Sequence, residues 1–252
     1  MTSGVDPSVR RIAAAVAAVA AAVLAAPGTA RADRDALWSM VDAQCVADTV
    51  EHGDPAPCAE VDISAGVGQG YAVLKDINGA HQYLLMPTAR ITGLEDPALR
   101  NPLAPNYFAD AWRARAFTEA AAGGALPPDA IGLAVNSAAA RSQDQLHIHI
   151  DCVRADVRQT LAASAIGDGW SPVTLAGKTY EATAIRSLDA VNPVVLSADW
   201  DLAHTTLVVV GAAGEQTGFV VLRRFIAEGE VSGGEELQDH QQCPAPIADG
   251  TS

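Results

Sequence analysis

Leu146-His147-Ile148-His149-Ile150-Asp151-Cys152 is the stretch that says most about the fold, because aliphatic and polar side chains alternate along it. Successive side chains of a β-strand point to opposite faces of the sheet, so His147, His149 and Asp151 share one face. The aliphatic residues between them then pack into the core on the other face. The pattern predicts a strand over 146–153 that displays two imidazoles side by side.

A β-hairpin is predicted upstream of this strand. The apolar runs Tyr71–Lys75 and Gln82–Met86 flank Asp76-Ile77-Asn78-Gly79, and an Asn-Gly pair between two such runs is a strong hairpin signal. Amphipathic spacing predicts helices over 33–50, 107–122 and 156–165, and apolar runs predict strands over 131–135, 173–175, 180–185, 206–210 and 218–223. Strands and helices mixed in this order predict an α+β fold, an antiparallel β-sheet with flanking helices.

The overall charge of the chain narrows the classes of function. Lys and Arg total 16 against 30 Asp and Glu, which gives a formal net charge of −14 over 252 residues. Nucleic-acid binding depends on basic residues that neutralise phosphates, so we expect no nucleic-acid partner. Broad electrostatic adhesion to anionic lipid is excluded for the same reason.

The first 32 residues have the features of a secretory signal peptide. Arg10 and Arg11 precede an apolar run, 12–26, that contains only Ile, Ala, Val and Leu, and Ala30-Arg31-Ala32 is a small-x-small cleavage site. As a helix this run spans about 22 Å, which is shorter than the ~30 Å hydrocarbon core of a bilayer. We predict cleavage after Ala32 and a periplasmic or other extracytoplasmic location. An uncleaved inner-membrane anchor formed by 12–26 is the alternative.

Four cysteines, Cys45, Cys58, Cys152 and Cys243, follow the predicted cleavage site. An even number of cysteines in an exported chain suggests disulfides. Cys45 and Cys58 flank a turn-rich stretch that can fold back on itself, and a bond between the other two would tie the end of the chain to its centre. Four cysteines allow three pairings, however, and the sequence does not choose among them. The lack of paired CxxC spacing argues against a zinc site.

The sequence around the two histidines resembles the histidine-triad (HIT) superfamily of nucleotidyl hydrolases and transferases. Members carry an Asn, a Gln seven residues later and then three alternating histidines on a strand, and Asn136, Gln143, His147 and His149 occupy the matching positions. Asp151 stands where the third histidine is expected. The resemblance implies a HIT-like sheet, and it leaves the role of Asp151 open.

The chain as a whole is more closely similar to the family of bacterial CDP-diacylglycerol pyrophosphatases. The similarity covers roughly residues 35–245, and its motifs are Gly70–Asp76, Tyr83–Ile91 and Gln145–Cys152. It implies a HIT-like catalytic domain over 33–230, followed by a polar C-terminal tail over 231–252. We expect this tail to be loose apart from anchoring by Cys243. His240 matches a motif of the family, but we do not place it in the site.

The resemblance implies hydrolysis of CDP-diacylglycerol to CMP and phosphatidate, without a cofactor. A neutral imidazole is a good nucleophile toward phosphorus near pH 7. By its position His149 attacks the cytidylyl phosphorus and forms a covalent cytidylyl-histidine, while His147 orients the site. Asp151 either orients His149 or lies near the leaving group.

Binding of the diphosphate requires groups that balance its charge, and basic residues are scarce in this chain. Lys75 and Arg141 lie close to the motifs and are candidates for that role. Asn136 and Gln143 match the positions that hold phosphate oxygens.

Other interpretations of these residues have to be considered. His147, His149 and Asp151 could form a metal site, but such a set spans about 13 Å along a strand, too far for one ion, so we expect no metal. The chain could hydrolyse soluble nucleotide diphosphate esters, or bind lipid or nucleotide without catalysis. The sequence leaves a homodimer open, and membrane contact would arise through a lipid substrate or the N-terminal segment.

Overall fold

Nine antiparallel strands form the sheet of the computed structural model, which describes residues 33–101, 103–214 and 217–247. The strands are β1 (Glu60–Asp62), β2 (Tyr71–Lys75), β3 (Tyr83–Pro87), β4 (Ile131–Val135), β5 (Ile148–Cys152), β6 (Ser171–Leu175), β7 (Lys178–Ile185), β8 (Thr205–Gly211) and β9 (Phe219–Phe225). Their order across the sheet is β1-β2-β3-β5-β4-β8-β9-β7-β6. The strand β5 therefore lies inside the sheet, between β3 and β4.

Helices pack on both faces of this sheet. They are α1 (Ala36–Met40), α2 (Ala47–His52), α3 (Tyr107–Ala121), α4 (Ala155–Ala163) and α5 (Pro193–Leu196). A π-helical segment, Val41–Val46, joins α1 to α2, and we call residues 36–52 the N-terminal helix. The prediction of a mixed fold with an antiparallel sheet and flanking helices is confirmed, and the predicted elements agree with the observed ones within a few residues.

One face of the sheet carries the aliphatic half of the alternating stretch. Ile148 and Ile150 are fully buried there, in a large apolar cluster to which α3 contributes Tyr107 and Phe108. The hydroxyl of Thr118 on α3 donates a 3.0 Å hydrogen bond to the carbonyl oxygen of Ile150. This half of the stretch is core, as the period of two predicts.

The opposite face carries the histidines. Leu84, His149, Ala134 and Val208 are paired in register on β3, β5, β4 and β8, so they share this face. The N-terminal helix packs against β2 and β3 in an apolar cluster that includes Leu84. A second apolar cluster, to which α4 contributes Val157, includes Ala134 and Val208. His149 therefore lies between two apolar clusters, on the part of this face that neither cluster covers.

Two disulfides join the four cysteines. Cys45 in the N-terminal helix is bonded to Cys58, and Cys152 at the end of β5 is bonded to Cys243. This confirms the expected disulfides and gives their pairing. Disulfides persist in oxidising compartments, so they indicate an extracytoplasmic location. The predicted signal peptide, 1–32, lies outside the described residues, and no helix within those residues has the length and apolar character needed to cross a bilayer.

Residues 234–240 of the C-terminal segment pack against the sheet, so the expectation of a tail that is loose apart from Cys243 was wrong for these residues. Gly234–Leu237 form a short 3₁₀ helix, in which Leu237 is fully buried. The side-chain amide of Gln238 donates to the carbonyl oxygens of Gly132 (2.8 Å) and His149 (3.0 Å). The polar tail is held because its amide groups pair with backbone acceptors of β4 and β5.

Candidate active site

His147 and His149 lie at a cavity of about 350 Å³, between the N-terminal helix, the β2–β3 hairpin and the C-terminal tail. Their rings meet edge to face, with 4.8 Å between centroids. The apolar part of the lining comes from Leu37, Met40, Leu74 and Leu84. Its polar part includes Asp76, Asn136, Gln143 and Glu235. The cavity thus combines an apolar wall with a few polar groups, which is typical of sites for small organic ligands.

The imidazole of His147 has a defined tautomer. Its Nδ1 lies 2.6 Å from the carbonyl oxygen of Gln145, which can only accept, so Nδ1 carries the proton and donates. Gln145 is itself fixed, because its Nε2 donates to the carbonyl oxygens of Pro87 (2.8 Å) and Ala89 (3.0 Å). Burial lowers the pKa of His147 below the ordinary value of 6.5. His147 is therefore neutral near pH 7, with a lone pair on Nε2.

The Nδ1 atom of His149 lies close to two side chains that can orient the ring. Glu235 Oε2 is 3.2 Å away and Gln82 Nε2 is 2.6 Å away. A carboxylate can only accept, so the contact with Glu235 favours a proton on Nδ1 and a lone pair on Nε2. A proton on Nδ1 requires the amide of Gln82 to be turned over, so that its oxygen accepts from this N–H and its nitrogen gives up the 3.4 Å hydrogen bond to Glu235 Oε2.

The other ring nitrogen of His149 is buried and has no hydrogen-bond partner among the described residues. Leaving a buried polar atom unpaired costs about 1–3 kcal/mol, so an exception of this kind points to function. Burial lowers the pKa of His149 well below 6.5, and the neighbouring His147 and His240 lower it further. His149 is thus a neutral imidazole whose Nε2 is free to act as a nucleophile.

Asp151, the third polar residue of the strand, contacts a residue that the sequence analysis places outside the site. Its side chain is fully buried, and its Oδ1 accepts a 2.8 Å hydrogen bond from the backbone N–H of Cys152. Its Oδ2 accepts from Nδ1 of His240, also at 2.8 Å. The tail folds back along β5 and brings the imidazole of His240 to Asp151, while His240 itself is not among the residues that line the cavity.

Asn136 and Gln143 line the cavity, but part of their hydrogen-bonding capacity is used by the protein. Asn136 donates through Nδ2 to Glu235 Oε1. Gln143 Nε2 donates to the carbonyl oxygen of Asp33, and its Oε1 accepts from the N–H of Leu37, both at 3.0 Å. Gln143 thereby holds the beginning of the N-terminal helix beside the cavity. The oxygen of Asn136 is buried and has no partner within the described part of the chain.

The two basic residues predicted to bind phosphate already have partners. Arg141 is nearly buried, and its guanidinium contacts Glu95 at 2.7 Å and Asp144 at 3.3 Å. The ammonium of Lys75 donates to the carbonyl oxygens of Asp76 (2.9 Å) and Gly79 (3.1 Å). Both residues brace loops at the edge of the site, and their role in substrate binding stays a prediction.

Sequence reasoning missed the residues that orient the histidines. Gln82 falls in a run predicted only as a strand, while Glu235, Gln238 and His240 belong to the segment expected to be loose. The sequence contains one signal for the tail residues. Cys243 follows them closely, so a disulfide to Cys152 would bring them alongside β5, next to the two histidines.

The described residues contain one group of three His, Cys, Asp or Glu side chains whose ligand atoms lie close enough together for a metal ion. It consists of Asp151, Cys152 and Cys243. The two sulfur atoms are bonded to each other and Asp151 is paired with His240, so these residues do not form a ligand set. The geometry of the site fits phosphoryl transfer to an imidazole.

Comparison with known proteins agrees with this geometry. A family model described as CDH, CDP-diacylglycerol pyrophosphatase, matches residues 32–245. A protein of Yersinia pestis named CDP-diacylglycerol pyrophosphatase is 44% identical over 163 residues, which is 63% of this chain and 62% of that relative. The aligned part thus spans less than two thirds of the relative's length. The family match extends from the N-terminal helix to the packed tail, and the chain therefore belongs to the CDP-diacylglycerol pyrophosphatase family.

Proposed function

We propose that this protein hydrolyses CDP-diacylglycerol to CMP and phosphatidate. Membership of the family supports this substrate and this reaction. The observation that carries the chemistry is the Nε2 atom of His149, which belongs to a neutral, buried imidazole and has no partner among the described residues. An active nucleophile needs an available lone pair and a group that orients it, and Glu235 provides the second.

In the proposed reaction, the Nε2 lone pair of His149 attacks the cytidylyl phosphorus. A P–N bond forms, the bond from this phosphorus to the bridging oxygen breaks, and phosphatidate leaves with the electron pair. Water then attacks the same phosphorus, the P–N bond breaks, and CMP and neutral His149 are released. Throughout, Nδ1 of His149 stays 3.2 Å from Oε2 of Glu235, whose negative charge offsets the positive charge of the cytidylyl-imidazole.

The other polar groups of the cavity orient the phosphate oxygens in this proposal. Gln143 and Asn136 have amide groups at the cavity, and the Nε2 of His147 lies on the same strand face as His149. This arrangement supports a HIT-like site, in which a strand presents adjacent imidazoles to a nucleotide phosphate. We accordingly interpret the sheet as HIT-like, with Asp151 replacing the last strand histidine.

The size of the cavity restricts which part of the lipid it encloses. At about 350 Å³ it lies at the lower end of the range for pockets that bind one drug-sized group. This space is large enough for the cytidylyl and diphosphate groups but too small to hold the two acyl chains as well. The acyl chains therefore stay in the lipid aggregate, and the apolar side chains of Leu37 and Met40 contact the glycerol end of the substrate.

The test is to replace His149 with Asn and to follow CMP release from mixed micelles that contain CDP-diacylglycerol. We expect the H149N variant to lose activity while its thermal unfolding stays close to that of the wild type. Acid-quenched wild-type protein should carry a cytidylyl group on His149, as mass spectrometry of peptides would detect. His204→Asn is the matched control, because His204 is an exposed histidine outside this cavity.

Two outcomes would contradict the proposal. Full turnover by H149N would exclude the covalent mechanism. Hydrolysis of water-soluble CDP esters, combined with no release of CMP from CDP-diacylglycerol, would show that the substrate is a soluble nucleotide.

A further inference from the structure

A fully buried carboxylate beside a site for a diphosphate is unfavourable unless a cation balances it. Asp151 is such a group, since it lies two residues from His149 on the same strand face, about 6.6 Å further along β5. Its charge is balanced by a histidine, His240, at 2.8 Å. Asp151, at the third position of the strand, thus binds the imidazole of His240 through its carboxylate.

The position of His240 is fixed by several independent contacts. Asp239 N–H donates to the carbonyl oxygen of Cys152 at 2.8 Å, and Ala80 N–H donates to the carbonyl oxygen of His240 at 2.7 Å. The disulfide between Cys152 and Cys243 ties the segment to the end of β5. His240 is consequently held between the catalytic strand and the β2–β3 hairpin, whose first residue after β2 lines the cavity.

Charged and titratable groups from each neighbouring element act on His240. They are Asp151 on β5, Asp76 in the hairpin, Glu235 on the tail and His149 on β5. The hydrogen bond to Asp151 raises the pKa of His240 above 6.5, against the opposing effect of burial, and the charges of Asp151, Glu235 and Asp76 act in the same direction. The surroundings of His240 therefore favour its protonated form.

The two nitrogens of this ring have different environments. Nδ1 donates its proton to Asp151. Nε2–H is left as the second donor of the imidazolium, and the side chain of His240 is 34% exposed, so this donor is open to solvent beside the cavity that Asp76, His149 and Glu235 line. A carboxylate that fixes one nitrogen and leaves the other free to exchange a proton is the arrangement of a general acid–base histidine.

We propose that His240, oriented by Asp151, is the general acid that protonates the phosphatidate oxygen as it leaves. The proposal rests on the proposed function and assigns a further catalytic residue to it. The Nε2–H proton of His240 moves to the bridging oxygen while the P–O bond breaks and His149 bonds to phosphorus. In the second step, neutral His240 takes a proton from the attacking water and returns to its cationic form.

The role of a general acid is tested by changing the leaving group. The 2,4-dinitrophenyl ester of CMP has a leaving group that is a much weaker base than phosphatidate, so it reports mainly on attack by His149. We expect His240→Gln to lower kcat on CDP-diacylglycerol by about 10²-fold, the lower end of the usual contribution of general acid–base catalysis, while the rate on the 2,4-dinitrophenyl ester stays close to that of the wild type. H149N should lose activity on both substrates.

The pH profile provides a second readout. Activity on CDP-diacylglycerol should fall as the pH rises through the pKa of His240, and the activity of H240Q should not show this fall. Asp151→Asn keeps an acceptor for the N–H of Cys152 but removes the charge that raises the pKa of His240. In this variant the fall in activity should therefore occur at lower pH. His204→Gln, which removes an exposed histidine paired with Asp201 at 2.9 Å, is the matched control and should leave both profiles unchanged.

Equal losses of H240Q on both substrates, with unchanged thermal unfolding, would overturn the assignment, since they would mean that His240 supports the site without donating a proton. A fall in the activity of D151N at the same pH as in the wild type would also contradict the assignment. If the wild-type protein releases no CMP from CDP-diacylglycerol, the proposed function is wrong. The comparison of a water-soluble CDP ester with the 2,4-dinitrophenyl ester then still tests His240.

Discussion

The disulfide between Cys152 and Cys243 should contribute more to stability than the one between Cys45 and Cys58. The two bonds have sequence separations of 91 and 13 residues. Loop-closure entropy in the unfolded chain grows with the logarithm of this separation, which gives about 4.6 kcal/mol for the longer loop and about 2.9 kcal/mol for the shorter one. The double variant C152A/C243A should therefore lose about 1.7 kcal/mol more than C45A/C58A.

Urea unfolding followed by tryptophan fluorescence measures both losses, and each variant serves as the control for the other because each removes two sulfur atoms. Hydrogen exchange adds a local readout. In C152A/C243A the amides of Ala80 and Asp239, which donate to the tail and to β5, should exchange faster than in the wild type, since the tail is held there by this bond. They should stay protected in C45A/C58A.

Two results would refute this reasoning. If C45A/C58A were the less stable variant, the entropy of the closed loop would not decide the order of the two losses. If Ala80 and Asp239 kept their protection in C152A/C243A, the hydrogen bonds of the tail would hold it without the disulfide.

Two further predictions concern buried charge and buried histidines. Arg141→Met leaves Glu95 without its guanidinium, while Asp144 keeps Arg34 at 2.6 Å, so it should lower the free energy of unfolding by about 1–3 kcal/mol. Unchanged stability with a raised KM would instead assign Arg141 to substrate binding. His147 and His149 have lowered pKa values, so the unfolded chain binds more protons below pH 6.5 and stability falls as the pH decreases there, by up to about 1.4 kcal/mol per pH unit for each residue. His240 has the opposite effect. Its contribution to the free energy of unfolding is present below pH 6.5 and is lost as the pH rises through its raised pKa. Urea unfolding of wild type and H147N/H149N across pH measures the difference, and parallel curves would contradict it.

The strands were predictable because their signals are local. Alternation over 146–153 gave β5 and its two faces, and an Asn-Gly turn between two apolar runs gave β2 and β3. The histidines of the site follow from the same alternation, since a period of two fixes which side chains share a face. A single strand therefore carried most of what the sequence could reveal about the chemistry.

The partners of the histidines were not predictable in this way, because they come from distant parts of the chain. Asp151 and His240 are 89 residues apart. The composition of residues 231–247 is typical of a solvated tail, and nothing in it shows that Leu237 and Gln238 pack against β4 and β5. Likewise, the scarcity of basic residues suggested that Arg141 was free for substrate, whereas the fold brings two carboxylates to it.

The charge of the site has a consequence for its nucleophile. A diphosphate adds negative charge beside His149, and this would raise the pKa of the imidazole and favour its protonated form, which cannot attack. Burial acts against this, and so does the positive charge of His240. His240 is positioned to do so because Asp151 holds it on the strand that carries His149. The group that we propose as the proton donor to the leaving group therefore also opposes protonation of His149, in the same direction as the larger effect of burial.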